Sequence, residues 1–117
     1  MKFLPILILV AIFGLPHAAY VSRINYIERE VGIPEGWSVV FSEGIRGCGG
    51  THFYWTRGCA HYKEKVIEMN TLWFMNGDRA LHLDLFDRVF IHEIGHARGL
   101  RHGEKLQKFI KRTLDEL

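Results

Sequence analysis

The chain has 117 residues, 48% of them apolar, and a formal net charge of +2. That length fits one small domain, and so slight an excess of positive charge argues against a nucleic-acid footprint. Its only cysteines, Cys48 and Cys59, allow one disulfide or a share in one metal site, and no repeats or low-complexity tracts occur.

Met1-Lys2 opens the chain with a positive charge, Phe3 to Leu15 is almost wholly apolar, and Pro16-His17-Ala18-Ala19 ends in small residues. This is the layout of a secretory signal peptide. The apolar run is shorter than the roughly 20 residues that span a bilayer, which favours a signal cut after Ala18 or Ala19 over a stable anchor. Residues 1–19 are therefore expected to be a signal peptide or N-terminal anchor, and residues 20–117 a secreted or extracytoplasmic domain. Membrane contact is expected only if the N-terminal segment stays uncleaved.

From Tyr20 to Val31, apolar Ile24, Ile27 and Val31 share one side and Arg23, Glu28, Arg29 and Glu30 lie elsewhere, the pattern of an amphipathic helix. Gly32-Ile33-Pro34-Glu35-Gly36 breaks it. Trp37 to Phe41, His52 to Thr56 and Lys65 to Met69 are rich in β-branched and aromatic residues between turn signals, so three strands are expected. Ser42 to Thr51, with Gly44, Gly47, Gly49 and Gly50, reads as a long hairpin loop or as the border of a cleft.

A domain this small benefits from a covalent staple, and export favours oxidation, so a Cys48–Cys59 disulfide is the first expectation. Cys48, His52, Cys59 and His61 also have a second reading, as a structural zinc site.

Asp84 to Arg98 contains no proline, and Phe86, Val89, Phe90, Ile94 and Ala97 recur at helical spacing, with Asp84 as the expected N-cap and Asp87 in the first turn. Gly95, costly in a helix interior by roughly 1 kcal/mol, calls for a close-packing reason. Along this helix and beyond it runs His92-Glu93-Ile94-Gly95-His96-Ala97-Arg98-Gly99-Leu100-Arg101-His102, or HExxHxxGxxH. Positions i and i+4 of a helix lie one turn apart on one face, so His92 and His96 can offer their imidazoles to one ion. Gly99 tolerates the left-handed conformation that reverses the chain, which brings His102 within reach as a third ligand. Three protein ligands leave a fourth position for water, and Glu93 is placed to act on that water as a base. If His102 is not the third ligand, Glu104 or Glu116 is the candidate.

At these residues the chain resembles a metzincin, the zinc-peptidase clan that includes matrixins and astacins, and HEIGHARGLRH is most similar to the matrixin version. The resemblance covers Ile91 to His102 closely and the strand-rich stretch before it more loosely. It implies a small zincin-like α+β domain with an N-terminal helix, a twisted sheet of about three strands, the active-site helix and a short C-terminal helix. It further implies one catalytic Zn2+ on His92, His96 and His102, Glu93 as the catalytic base, and a metalloendopeptidase acting on a protein or peptide. In such enzymes an edge strand beside the active-site helix pairs with extended substrate; Lys65 to Asn70 is the first candidate and His52 to Thr56 the second. Tyr54 or Tyr62 is a candidate for stabilising the oxyanion, although tyrosines at such places more often only pack. Trp55, Trp73 and Phe74 are expected in the core or the cleft wall.

Two departures stand out. Metzincins carry a methionine turn below the metal, and no methionine follows His102 here, where residues 103–117 offer one helix with apolar Leu106, Phe109, Ile110, Thr113, Leu114 and Leu117. The C-terminal subdomain of the clan has no counterpart in those residues either. Lys105, Lys108, Lys111 and Arg112 read as the solvated face of that helix. The departures leave open a catalytically silent secreted zinc-binding or interaction module, and an accidental motif on a disulfide-stapled domain. A monomer is expected.

Overall fold

In the computed structural model, residues 15–45, 48, 56–74 and 83–117 are described. They form an α+β domain: helix α1 (Leu15–Glu30), strands β1 (Ser38–Ser42), β2 (Gly58–His61) and β3 (Val66–Asn70), the short helix α2 (Thr71–Phe74), helix α3 (Leu83–Ala97) and helix α4 (Glu104–Glu116). No described helix is long and apolar enough to cross a membrane.

The sheet order is β1-β3-β2. β1 runs parallel to β3, with Val39 opposite Ile67 and Phe41 opposite Met69, and β2 runs antiparallel to β3, with Ala60 opposite Ile67. Side chains alternate across a strand, so Ile67 and Met69 are fully buried on the inner face while Val40 lies 39% exposed on the outer one. The helices cover the inner face. α1 contributes Tyr20, Ile24 and Ile27 at helical spacing, α3 contributes Phe86, Phe90, Ile91 and Ile94, and α4 contributes Leu106, Phe109 and Ile110. Phe86 is the hub of an aromatic cluster, with ring centroids 4.9 Å from Tyr20, 5.2 Å from Phe74 and 5.8 Å from Phe90. Tyr20, buried there, satisfies its hydroxyl by donating to the Phe74 carbonyl at 2.7 Å.

Two polar clamps hold α1 on α3. Arg23 grips the buried Asp87 carboxylate with two hydrogen bonds, of 2.8 and 2.5 Å. At the other end, Arg98 donates to the two carbonyls that follow α1, 2.7 Å to Val31 and 3.2 Å to Gly32, while its guanidinium lies 5.0 Å over the Phe109 ring.

Gly95 explains how α4 docks. A Cβ there would run into Leu106 Cδ1 and lie 3.2 Å from Phe109 Cδ2, so the helices approach more closely than any side chain allows. The lysines of α4 and Arg112 are exposed, as expected, and Lys108 pairs with Glu104 at 2.8 Å.

Several expectations need correction. α1 begins at Leu15 rather than Tyr20, so Ala18 and Ala19 lie within a helix. α3 begins at Leu83, which puts Asp84 in the first turn as a favourable charge rather than at the cap. The strand expected over His52 to Thr56 falls mostly outside the described residues, and Thr56 is buried without being in a strand. β2 forms instead at Gly58–His61, in a hairpin whose turn, residues 62–65, ends on Lys65 at φ 59°. Most consequential, β3 is the central strand, paired on both sides, so Lys65 to Asn70 is not a free edge for substrate. Among the described residues, the outer strand that lies against α3 is β2.

Candidate metal centre

Three imidazoles converge. Nε2 of His92 lies 2.9 Å from Nε2 of His96, and each lies 3.2 Å from Nε2 of His102. Tetrahedral zinc with Zn–N bonds of about 2.0–2.1 Å needs ligand nitrogens about 3.3 Å apart, so the triangle is close to that size. These three histidines form the group of side chains, among the described residues, that can hold a metal ion.

The local sequence builds this triangle. His92 and His96 stack one turn apart on α3. The helix then ends in a Schellman turn: the Leu100 N–H reaches the Gly95 carbonyl at 2.9 Å, the Gly99 N–H reaches the His96 carbonyl at 2.8 Å, and Gly99 has φ 95°. The reversal carries His102 back over the end of the helix. Gly99 meets no neighbour within 4 Å of where a Cβ would stand, so its role is the left-handed backbone alone.

The same turn orients His96. Its Nδ1 donates to the Leu100 carbonyl at 2.7 Å, which fixes the proton on Nδ1 and leaves the lone pair of Nε2 directed at the other two rings. The His92 imidazole is held far below its ordinary value, at about 4, mainly by burial and then by the adjacent His96 and His102. Its lone pair therefore faces little competition from protons at neutral pH. Together the rings form an all-nitrogen, uncharged donor set suited to a borderline divalent cation such as zinc.

Glu93 sits on the next position of α3 and is 7% exposed. Burial pushes its carboxyl up to about 7, and the main-chain N–H of Ala60 opposes that rise by donating to it. The contact depends on β2. Asn70 N–H bonds the Arg57 carbonyl at 2.9 Å, and the alternation of an antiparallel ladder then turns the main-chain groups of Gly58 and Ala60 away from β3. Gly58 lets this edge settle onto α3, for a Cβ there would stand 3.0 Å from Val89 Cγ1 and 3.2 Å from Glu93 Cγ.

An open cleft of ≈ 710 Å³ lies between β2 and α3, with the three histidines and Glu93 on one wall and Gly58 and Ala60 on the other. No protein-family model, no curated protein and no solved structure matches this chain.

Tyr62 reaches the cleft from the β2–β3 turn, 58% exposed and edge-on to Trp37 at 6.0 Å. Its phenol is raised by burial and by Glu93, against the lowering effect of Arg101. Tyr54 and Trp55 lie outside the described residues, and Phe74 is a core residue, 1% exposed. Glu104, the alternative ligand, is exposed and paired with Lys108, whereas His102 joins the triangle.

Cys48 and Cys59 form a disulfide with Cα atoms 6.1 Å apart. It spends both thiols that the alternative zinc site needed. His61, the third member of that set, binds Glu68 Oε1 through Nε2 at 2.7 Å, and His52 lies outside the described residues.

Sequence reasoning overlooked Asn70. Fully buried, its side chain accepts from the Gly44 N–H at 3.0 Å and donates to the Thr56 carbonyl at 2.9 Å, pinning the chain that leads into β2. An asparagine closing an apolar strand is the signal that marks it.

Proposed function

We propose that the chain is a zinc-dependent endopeptidase of metzincin-like design, with His92, His96 and His102 as metal ligands and Glu93 as the general base. The observation that carries this reading is the joint placement of the Nε2 triangle, the adjacent buried Glu93 and an outward-turned strand edge along one open cleft. Zinc held by His92, His96 and His102 would supply Lewis acidity, for activating water and for polarising a carbonyl.

The rest falls to the protein. Glu93, buried on α3 beside the ligands, is placed to accept a proton from the attacking water and return it to the leaving amine. Ala60 N–H holds that carboxylate in place. The outward main-chain groups of β2 other than Ala60 N–H would hold an extended peptide along the cleft in a fixed register. His96 is kept in one tautomer by Leu100 throughout.

The test is to incubate the oxidised, zinc-loaded protein with an unbiased peptide library, beside Glu93→Ala and a chelated sample. Cleavage lost in both controls supports the peptidase. A folded protein that binds one zinc and cleaves nothing is instead the catalytically silent zinc-binding module.

A further inference from the structure

A second hollow opens beside the metal cleft. It measures ≈ 330 Å³ and shares Gly58, His92 and Glu93 with the first, but extends toward the N-terminal end of α3. Leu85, Arg88, Val89 and His92 line it at i, i+3, i+4 and i+7, one stripe of the helix leading away from the metal ligands. Arg57, the residue before β2, closes it from the sheet side.

Its chemistry is one-sided. Leu85 and Val89 are half-buried and apolar, whereas Arg57 and Arg88 are exposed cations. Arg88 makes no ion pair among the described residues. The acids nearest to it on α3 do not enter the hollow: Asp87 is turned to Arg23, and Asp84 is not among the lining side chains. On the far side of the ligands, Arg101 lines the larger cleft. Among the described residues, Glu93 is therefore the sole carboxylate of the two hollows, against three arginines.

We infer that the second hollow is a side-chain subsite for an acidic residue of a peptide substrate, with Arg88 as the residue that determines that specificity. The inference rests on the peptidase reading and names its substrate class. A glutamate fits: its methylenes lie against Leu85 and Val89 while its carboxylate takes a forked, charge-assisted pair from the Arg88 guanidinium, seconded by Arg57. Arg88 is one turn from His92, about 6 Å along the axis, and an extended peptide advances about 3.3 Å per residue. The acid therefore sits one or two residues from the bond that is cut.

The experiment uses mixed heptapeptide pools that differ only in carrying Glu, Gln or Lys at one fixed position, scanned along the peptide. Turnover is measured with the zinc-loaded full chain, and binding with zinc-loaded Glu93→Gln by fluorescence anisotropy. Glu is expected to exceed Gln about tenfold at one position in both readouts. Arg88→Gln is expected to bring the two to parity, and Arg88→Glu to favour Lys, with circular dichroism confirming the fold of each. Arg57→Gln, a second exposed position, is expected to narrow the preference in part. Equal binding of the Glu and Gln pools, or binding of none, overturns the subsite. Glu-selective binding that Arg88→Gln abolishes, without cleavage by the wild type, upholds the subsite and defeats the peptidase reading instead.

Discussion

Replacing Glu93 by Gln in the metal-free protein should make it more stable, by an amount that depends on pH. The carboxyl stands at about 7 in the fold against an ordinary value of 4.5, because burial penalises its charged form more than Ala60 N–H relieves it. A native state that holds a proton more tightly than the unfolded chain is favoured at low pH, and its stability falls as pH rises from the unfolded pKa through the folded one. At about 1.4 kcal/mol per unit, that loss amounts to about 3 kcal/mol once pH exceeds 7. Glutamine keeps an acceptor for Ala60 N–H and carries no charge to bury. Urea unfolding in the presence of a chelator should give nearly equal stabilities for the two proteins near pH 4.5. The gap should then open to about 3 kcal/mol in favour of Glu93→Gln by pH 8. His92, whose value is lowered to about 4, works in the opposite sense, adding stability as pH rises from about 4 to 6.5, but it is common to both proteins and cancels in the difference. A gap that stays flat from pH 4.5 to 8 would refute the burial argument.

His102→Ala should weaken zinc binding by about 100-fold or more, since the loss of a supporting partner alone costs 10–100-fold, and competition with a chromophoric chelator measures it; unchanged affinity would remove His102 from the ligand set. Gly99→Val forces a β-branched residue to φ 95° and should cost about 2 kcal/mol in urea unfolding while also lowering zinc affinity, because the same turn delivers His102. Gly95→Ala gains helix propensity yet collides with Leu106 and Phe109, for a net loss of about 1 kcal/mol; an increase in melting temperature would show that α4 yields. Cys48→Ser with Cys59→Ser opens a loop closed across 11 residues and should lower stability by about 3 kcal/mol, read as a drop in denaturation midpoint relative to the oxidised wild type.

The metal triangle was legible in the sequence because all of its geometry is local. Helical spacing places His92 and His96, and one glycine accounts for the return of His102. α3 and α4 were legible for the same reason, through period and polarity. The sheet was not. Gly58-Cys59-Ala60-His61 has no β-branched residue and forms a strand because it hairpins onto β3 and because Gly58 fits against Val89 and Glu93, contacts made across about thirty positions. Strand order is likewise a tertiary fact, and nothing within Lys65 to Asn70 distinguishes an edge strand from the central one it forms. The elevated value at Glu93 and the opposing N–H of Ala60 follow from that same unforeseen strand.

The three histidines span only positions 92 to 102, whereas the environment of Glu93 is completed by β2, which precedes it by about thirty residues. Closing so short a loop around a cation costs little chain entropy, and it needs only α3 and its terminal turn. Formation of the histidine triangle and enclosure of Glu93 are therefore separable events in the assembly of this molecule. A cation bound there would order one end of a still incomplete fold, whereas the surroundings of Glu93 are complete only once the sheet has docked. A chain damaged in β2 would keep the three imidazoles together and lose the main-chain partner of the carboxylate.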